Sequence, residues 1–261
     1  MKSRTKLPNI YLGIVITIMY LPILLTIIYS FNKSKISSIW GGFSLDWYHT
    51  LFKNRDLREA LINSLVLALL SCTASAVIGT LGALGMHRIH KKTNGIIEYI
   101  STLPIMIPEI ILGMVFLAFF SLLGLPFGMT TLVIAHTAFC IPYMLMMVKS
   151  RLTGMDKSLE EAALDLGASP VRTFFDITLP LIMPAVTSGM LLSFAMSFDD
   201  VVISIFVTGP KVNTLPVKIY TKIKTGVTPE INALATLMLG AALLLLLLSG
   251  LPGRKQRNIQ K

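Results

Sequence analysis

Charge is scarce in this sequence, and so is cysteine. Asp, Glu, Lys and Arg make up only 14% of its 261 residues, about half of what a globular domain carries. Hydrophobic residues make up 54%, and mean hydropathy is +0.73. A soluble monomer of that composition would expose more apolar surface than water tolerates, so lipid is the expected solvent. The two cysteines, Cys72 and Cys140, both lie inside apolar runs, which excludes a disulfide framework. No Gly-x-x-x-x-Gly-Lys-Ser/Thr loop is present, so the chain carries no P-loop ATPase. Neither a Gly-x-Gly-Asp nor a His-Glu-x-x-His motif occurs, which argues against an intramembrane protease or lipid transferase.

What is present is a succession of apolar runs. Six stretches approach the roughly 20 residues a membrane helix needs: Ile10 to Ser30, Leu61 to Met86, Ile97 to Leu123, Thr131 to Val148, Ile177 to Val207 and Ile231 to Ser249. The first follows Lys2, Arg4 and Lys6 but is too long for a signal peptide, so it is expected to be a retained span. The third contains Pro104, Pro108 and Glu109; the fifth contains Pro180, Pro184, Asp199 and Asp200. Neither can be a uniform rod in lipid, and both are expected to face protein or a wet path.

The formal net charge of +10 would suggest a nucleic-acid partner in a soluble protein. Distributed over six spans it reads as topology. With the N-terminus inside, fourteen basic residues are cytoplasmic and nine are outside, so both termini are expected in the cytoplasm and no nucleic acid is expected. The membrane interior keeps three acids, Glu109, Asp199 and Asp200, and no Lys or Arg, a sign that suits a cationic cargo. Helix capping or a bond to Thr208 is the alternative use of the Asp pair, and relief of backbone amides freed by Pro108 is that of Glu109.

Two connecting segments are long. The outer one, Phe31 to about Ala60, holds Trp40, Trp47 and Tyr48, which can serve as interfacial aromatics. The inner one, residues 149–176, contains Ser158-Leu159-Glu160-Glu161, the spacing of a capping box with Ser158 as N-cap. A short amphipathic helix should follow, with Leu159, Ala162, Ala163 and Leu166 on one side and Glu160 and Asp165 on the other. Gly167 should stop it in a left-handed conformation, and Ser169-Pro170 should start a second helix running into the span at Ile177.

Glu161-Ala162-Ala163, then Gly167, Ile177, Leu179 and Pro180 at fixed spacing resemble the EAA signature of membrane subunits of ATP-binding-cassette (ABC) importers. The stretches Ser197 to Val202, Phe206 to Pro210, Leu215 to Tyr220 and Asn232 to Thr236 resemble, within that family, the spermidine/putrescine permeases. The resemblance implies an all-α polytopic membrane protein of six transmembrane helices with the type I importer (MetI-like) fold. Residues 1–261 would form one permease domain, and residues 149–176 the coupling segment that docks on a cytoplasmic ATPase. It further implies a second homologous permease subunit or a second copy, two ATPase subunits that bind the ATP and Mg, an extracytoplasmic polyamine-binding protein, and no cofactor in this chain. The location would be the bacterial inner membrane.

In the resembling family, substrate passage is attributed to an outer-loop tryptophan, an acid in the third span and a Ser-x-Asp-Asp group in the fifth. These fall on Trp47, Glu109, Ser197, Asp199 and Asp200, with glutamate at Glu109 where relatives often have aspartate. A permease for another solute, such as a metal or an oxyanion, and an intramembrane enzyme are the competing readings. Three weaker signals are expected to be structural: His87 and His90 as solvated loop residues, Gly79, Gly82 and Gly85 as packing positions, and Met144, Met146 and Met147 as core or lipid-facing.

Overall fold

The computed structural model describes residues 6–35, 39–89, 91–156, 158–226 and 229–250. Lys2, Arg4, Lys157, His90 and the basic residues from Arg254 to Lys261 lie outside them. Among the described residues the fold is helical, apart from one isolated antiparallel bridge between Asn32 and Phe43. The helices are α1 (Lys6–Ser30), α2 (Asp46–Lys53), α3 (Arg55–Arg88), α4 (Lys91–Met106), α5 (Glu109–Leu122), α6 (Met129–Thr153), α7 (Ser158–Asp165), α8 (Pro170–Thr173), α9 (Leu179–Asp199), α10 (Val202–Val207), α11 (Leu215–Thr225) and α12 (Pro229–Gly250).

Four stretches are long and apolar enough to cross a membrane: Pro8–Ser30, Arg55–His87, Met129–Thr153 and Pro170–Asp199. They fall on the first, second, fourth and fifth predicted spans. The third is broken: Gly95–Met106 and Glu109–Leu122 meet at 103° and count as a fifth span only if taken together. Pro108 explains the break. It has no amide to continue α4, it disfavours helix at Ile107, and its own carbonyl starts α5 by accepting from Ile111 (2.9 Å) and Leu112 (3.1 Å). Helix α12 covers the sixth predicted stretch.

The fifth span departs from expectation in the opposite way. Pro180 and Pro184 do not break it. A single π-turn, Phe174–Thr178, precedes Pro180 and absorbs the ladder bond that proline cannot make. The helix ends instead at Asp199, where Asp200 turns extended (φ −66°, ψ 127°) and α10 begins afresh, so Ile177 to Val207 is two helices.

Two compact units result: residues up to Arg58 together with those from Thr221 onward, and Glu59–Tyr220. In the first, α12 packs on α1 and α2. Glu230, largely buried, accepts from Asn54 Nδ2 (2.7 Å) and from Lys222 Nζ (2.7 Å). In the second, one core gathers Phe120, Leu132, Phe139, Cys140, Ile203 and Val207, and another gathers Met86, Met144, Val148 and Ile182. Glu98 of α4 is paired with Lys149 of α6. Gly79 lets α3 close on α6, since a Cβ there would meet Met144 Cβ at 2.6 Å, which bears out its packing role; at Gly85 a Cβ would meet nothing. Met144 is fully buried, whereas Met146 and Met147 face outward.

Gly209 fixes the approach of the segment after α10 to the turn before α6. A Cβ at this position would lie 2.1 Å from the Phe127 carbonyl oxygen and 2.7 Å from its carbon, and backbone cannot retract as a flexible side chain can. Gly209→Ala is expected to destabilise the chain by about 1–3 kcal/mol, read as a lowered melting temperature of the detergent-solubilised protein. An unchanged melting temperature would mean the turn has slack that this contact denies.

Candidate functional site

Unit Glu59–Tyr220 contains a cleft of about 450 Å³, within the range of small-molecule sites. Glu109 at the start of α5, Phe139 of α6, Met196 and Asp199 of α9, and Asp200 and Val202 after it line the cleft. The helix break at Pro108 puts Glu109 there, and the end of α9 puts the Asp pair there. Three of the predicted residues, Glu109, Asp199 and Asp200, thus come together.

Their environments differ. Glu109 and Asp199 are exposed to the cleft, and neither is hydrogen-bonded or ion-paired to a described residue. The amides freed at Pro108 take its carbonyl, not the Glu109 carboxylate. Asp200 is buried. Its Oδ1 accepts from the Ile203 amide (3.1 Å) and its Oδ2 from the Ser204 amide (2.8 Å), so it clamps the first turn of α10. Thr208, the other candidate partner, donates to the Val212 carbonyl.

Ser197 is buried behind the cleft and pairs with His136, Oγ to Nδ1 2.8 Å. His136 is fully buried on α6; its Nε2 lies 3.1 Å from Ser204 Oγ and 3.4 Å from Asp200 Oδ2. Sequence reasoning missed His136. A lone histidine inside an apolar run, with its partners sixty residues away, leaves no local pattern; its position within a membrane span was the available signal.

Trp47 lies in the other unit, half-buried on α2. Its indole Nε1 donates to the Asn32 carbonyl at 2.7 Å. Asn32, fully buried, organises this loop: its side chain donates to Ile39 O (2.7 Å) and accepts from Ser34 N (3.1 Å) and Gly41 N (2.8 Å). Tyr48 meets Ser30 Oγ at 2.7 Å and leans on Phe31.

The inner segment folds nearly as its residues prescribe. Helix α7 starts at Ser158, but the acceptor is Asp156, whose Oδ1 takes the Ser158 amide at 3.0 Å. That amide, and after it the Ser158 hydroxyl, hold the Asp156 carboxyl below its usual range. At the other end Gly167 has φ +85°, and the Gly167 and Ala168 amides bond to Leu164 O (2.9 Å) and Ala163 O (3.0 Å). This is the double bond of a Schellman stop. Ser169 then caps α8 by accepting from Arg172 N, with Pro170 first in the helix.

One face prediction is corrected. Glu160, expected to face water, turns inward: its Oε1 accepts from the buried Thr178 hydroxyl of the π-turn at 2.5 Å. A short hydroxyl-to-carboxylate bond is the better use of that face than solvent. The apolar residues stay uncovered: Leu159, Leu164 and Val171 are exposed, and Leu166 is 90% exposed. Of the signature residues, Glu161 and Ala162 are exposed and Ala163 is half-buried; Ile177 and Leu179 are half-buried and Pro180 is exposed. The helix is therefore held to the span by Glu160 and presents leucines outward.

The family model for the binding-protein-dependent transport system inner membrane component matches residues 75–253. The chain is 41% identical to the spermidine/putrescine transport system permease protein PotC of Haemophilus influenzae, over 98% of this chain and 100% of that one. It is 44% identical to the putrescine transport system permease protein PotI of Escherichia coli K12, over 86% and 83% respectively. Among solved structures it is similar to a chain of a bacterial ABC transporter involved in import of the acidic polysaccharide alginate, with TM-score 0.72, 14% identity, and 98% and 99% coverage. It is also similar to a chain of the inward-facing MetNI methionine ABC transporter, with TM-score 0.57, 18% identity, and 76% and 95% coverage. At these identities the structural likeness speaks for the fold.

Proposed function

The chain belongs to the inner membrane components of binding-protein-dependent transport systems, and we propose that it is the permease subunit of an ABC importer of polyamines. The observation that carries the reading is a pair of carboxylates, Glu109 and Asp199, in one cleft of a membrane protein with no hydrogen-bond or ion-pair partner among the described residues. A carboxylate at membrane depth costs about 2.5–3.5 kcal/mol on insertion scales unless something neutralises it. An ammonium group of the cargo supplies that neutralisation as it passes. Phe139, in the same cleft, offers an aromatic surface for the methylene chain between ammonium groups. The names of the relatives, spermidine/putrescine and putrescine permeases, agree with this chemistry.

The chain itself catalyses nothing and needs no cofactor. ATP and Mg²⁺ bind to two partner ATPase subunits, and the exposed leucines of α7 and the chain beside Gly167 dock on one of them. Glu160, bonded to Thr178, links the docked helix to α9 and so to the end of that span where Asp199 stands. A second permease subunit completes the path, a binding protein delivers cargo on the outer side, and both termini are cytoplasmic. Trp47, in the connection between the first and second spans, serves cargo passage in this reading. ATP-driven uptake by the assembled complex, compared between a diamine and solutes of the same length that are neutral or anionic, is the test: accumulation confined to the diamine supports the reading, and equal accumulation of the others refutes it.

A further inference from the structure

The buried group that this mechanism leaves unused is His136, where α6, α9 and α10 converge. Nε2 faces a carboxylate oxygen of Asp200 at 3.4 Å and the Ser204 hydroxyl at 3.1 Å. A lone pair there would face the lone pairs of Asp200, so the network assigns a proton to Nε2. Nδ1, 2.8 Å from Ser197 Oγ, joins the same ring to α9. With the Ile203 and Ser204 amides also on Asp200, that carboxylate has three neighbours directed at it from two elements. Asp199, one residue earlier, has none among the described residues.

We propose that His136 is a positioning residue: it locks Asp200 as the clamp between α9 and α10, so that Glu109 and Asp199, and not Asp200, are the carboxylates this chain offers to its cargo. The inference rests on the cation-import reading for its cargo half alone. The lock keeps the corner after Asp199 in one conformation and aims Asp199 at the cleft. A third free carboxylate would raise the cost of the empty cleft, and the lock removes it.

The ring's two nitrogens can be separated by substitution. Glutamine places its amide near Nε2, whereas asparagine places its amide near Nδ1 and leaves Asp200 with its two backbone amides but no partner from α6. In the full complex, His136→Asn is expected to speed amide exchange of residues 202–207 by about tenfold, the loss of one hydrogen bond to a charged group. It should raise KM for putrescine by a similar factor, with the maximal rate per folded complex changed less than about threefold. His136→Gln should restore both. A histidine that only fills space would lower the yield of folded complex and leave KM unchanged, and equal behaviour of the two variants would overturn the assignment.

Should His136→Asn not yield folded complex, Asp200→Asn decides. It should speed exchange in residues 202–207 and raise KM less than Asp199→Asn does; the reverse order of KM effects makes Asp200 a cargo ligand and refutes the lock. If the wild-type complex imports no cation, the import reading fails on its own, while the exchange pattern still decides whether His136 holds the clamp.

Discussion

Replacing Gly167 with valine is expected to lower ATP-driven uptake by about a hundredfold while the amount of chain in the membrane stays the same, the cost of misplacing a working element by roughly 1 Å. Gly167 sits at φ +85°, and a Cβ there would touch nothing within 4 Å, so the substitution introduces no clash. Its effect is confined to the backbone. A left-handed conformation costs an ordinary residue about 1–2 kcal/mol, and β-branching restricts it further. The Schellman bonds to Leu164 and Ala163 would open, and the last turn of α7 with them. Ser169 would lose its register as the cap of α8, and Glu160 its hold on Thr178. Gly167→Asn, which tolerates the left-handed region, should retain most of the uptake. Immunoblots of membranes alongside uptake rates read both halves; uptake by the valine variant within twofold of wild type would remove α7 from the coupling path.

The second large effect concerns charge. The variant carrying Glu109→Gln and Asp199→Asn is expected to lose polyamine uptake by about a hundredfold or more, because stripping a cation's partners from a desolvated pair costs roughly 2–5 kcal/mol. Each single change should act mainly on KM. Membrane abundance should hold or rise, since neutral amides at these positions cost less to insert than carboxylates. The two outcomes pull in opposite directions, which separates cargo binding from structural support. Neither carboxylate bonds to the described chain, so a fall in abundance would indicate a structural partner that the cleft geometry lacks. Uptake rates and melting temperatures measured on the same membrane preparations distinguish these results.

Local chemistry explains why much of this was legible in the sequence. The stops and starts at Gly167, Ser169 and Pro170 each depend on one residue and its near neighbours, and they fall where the spacing puts them. Pro108 likewise breaks its span, with Glu109 at the break. Prolines as a class misled. Pro180 and Pro184 sit inside a continuous helix because a π-turn upstream accommodates the first, while the break comes at Asp200, which carries its own cap. Long-range partners were not legible. Glu160 looked solvated because Thr178 lies eighteen residues away, and Asp156 displaced Ser158 as the helix acceptor because both suit the role and geometry chose. The Asp pair looked equivalent in sequence; burial, the Ile203 and Ser204 amides, and His136 on another helix make Asp200 different from Asp199.

Whether the cleft passes a cation is decided by varying the charge of the cargo at constant length. The chain would be reconstituted in proteoliposomes with its partner permease, its ATPase subunits and its binding protein. ATP-driven accumulation would then be measured for a labelled 1,4-diamine, the neutral diol and the dicarboxylate of the same length. The diamine alone is expected to accumulate, and the variant carrying Glu109→Gln and Asp199→Asn is expected to lose it. Accumulation of the diol or the dicarboxylate at the diamine's rate, or undiminished diamine uptake by that variant, would contradict it.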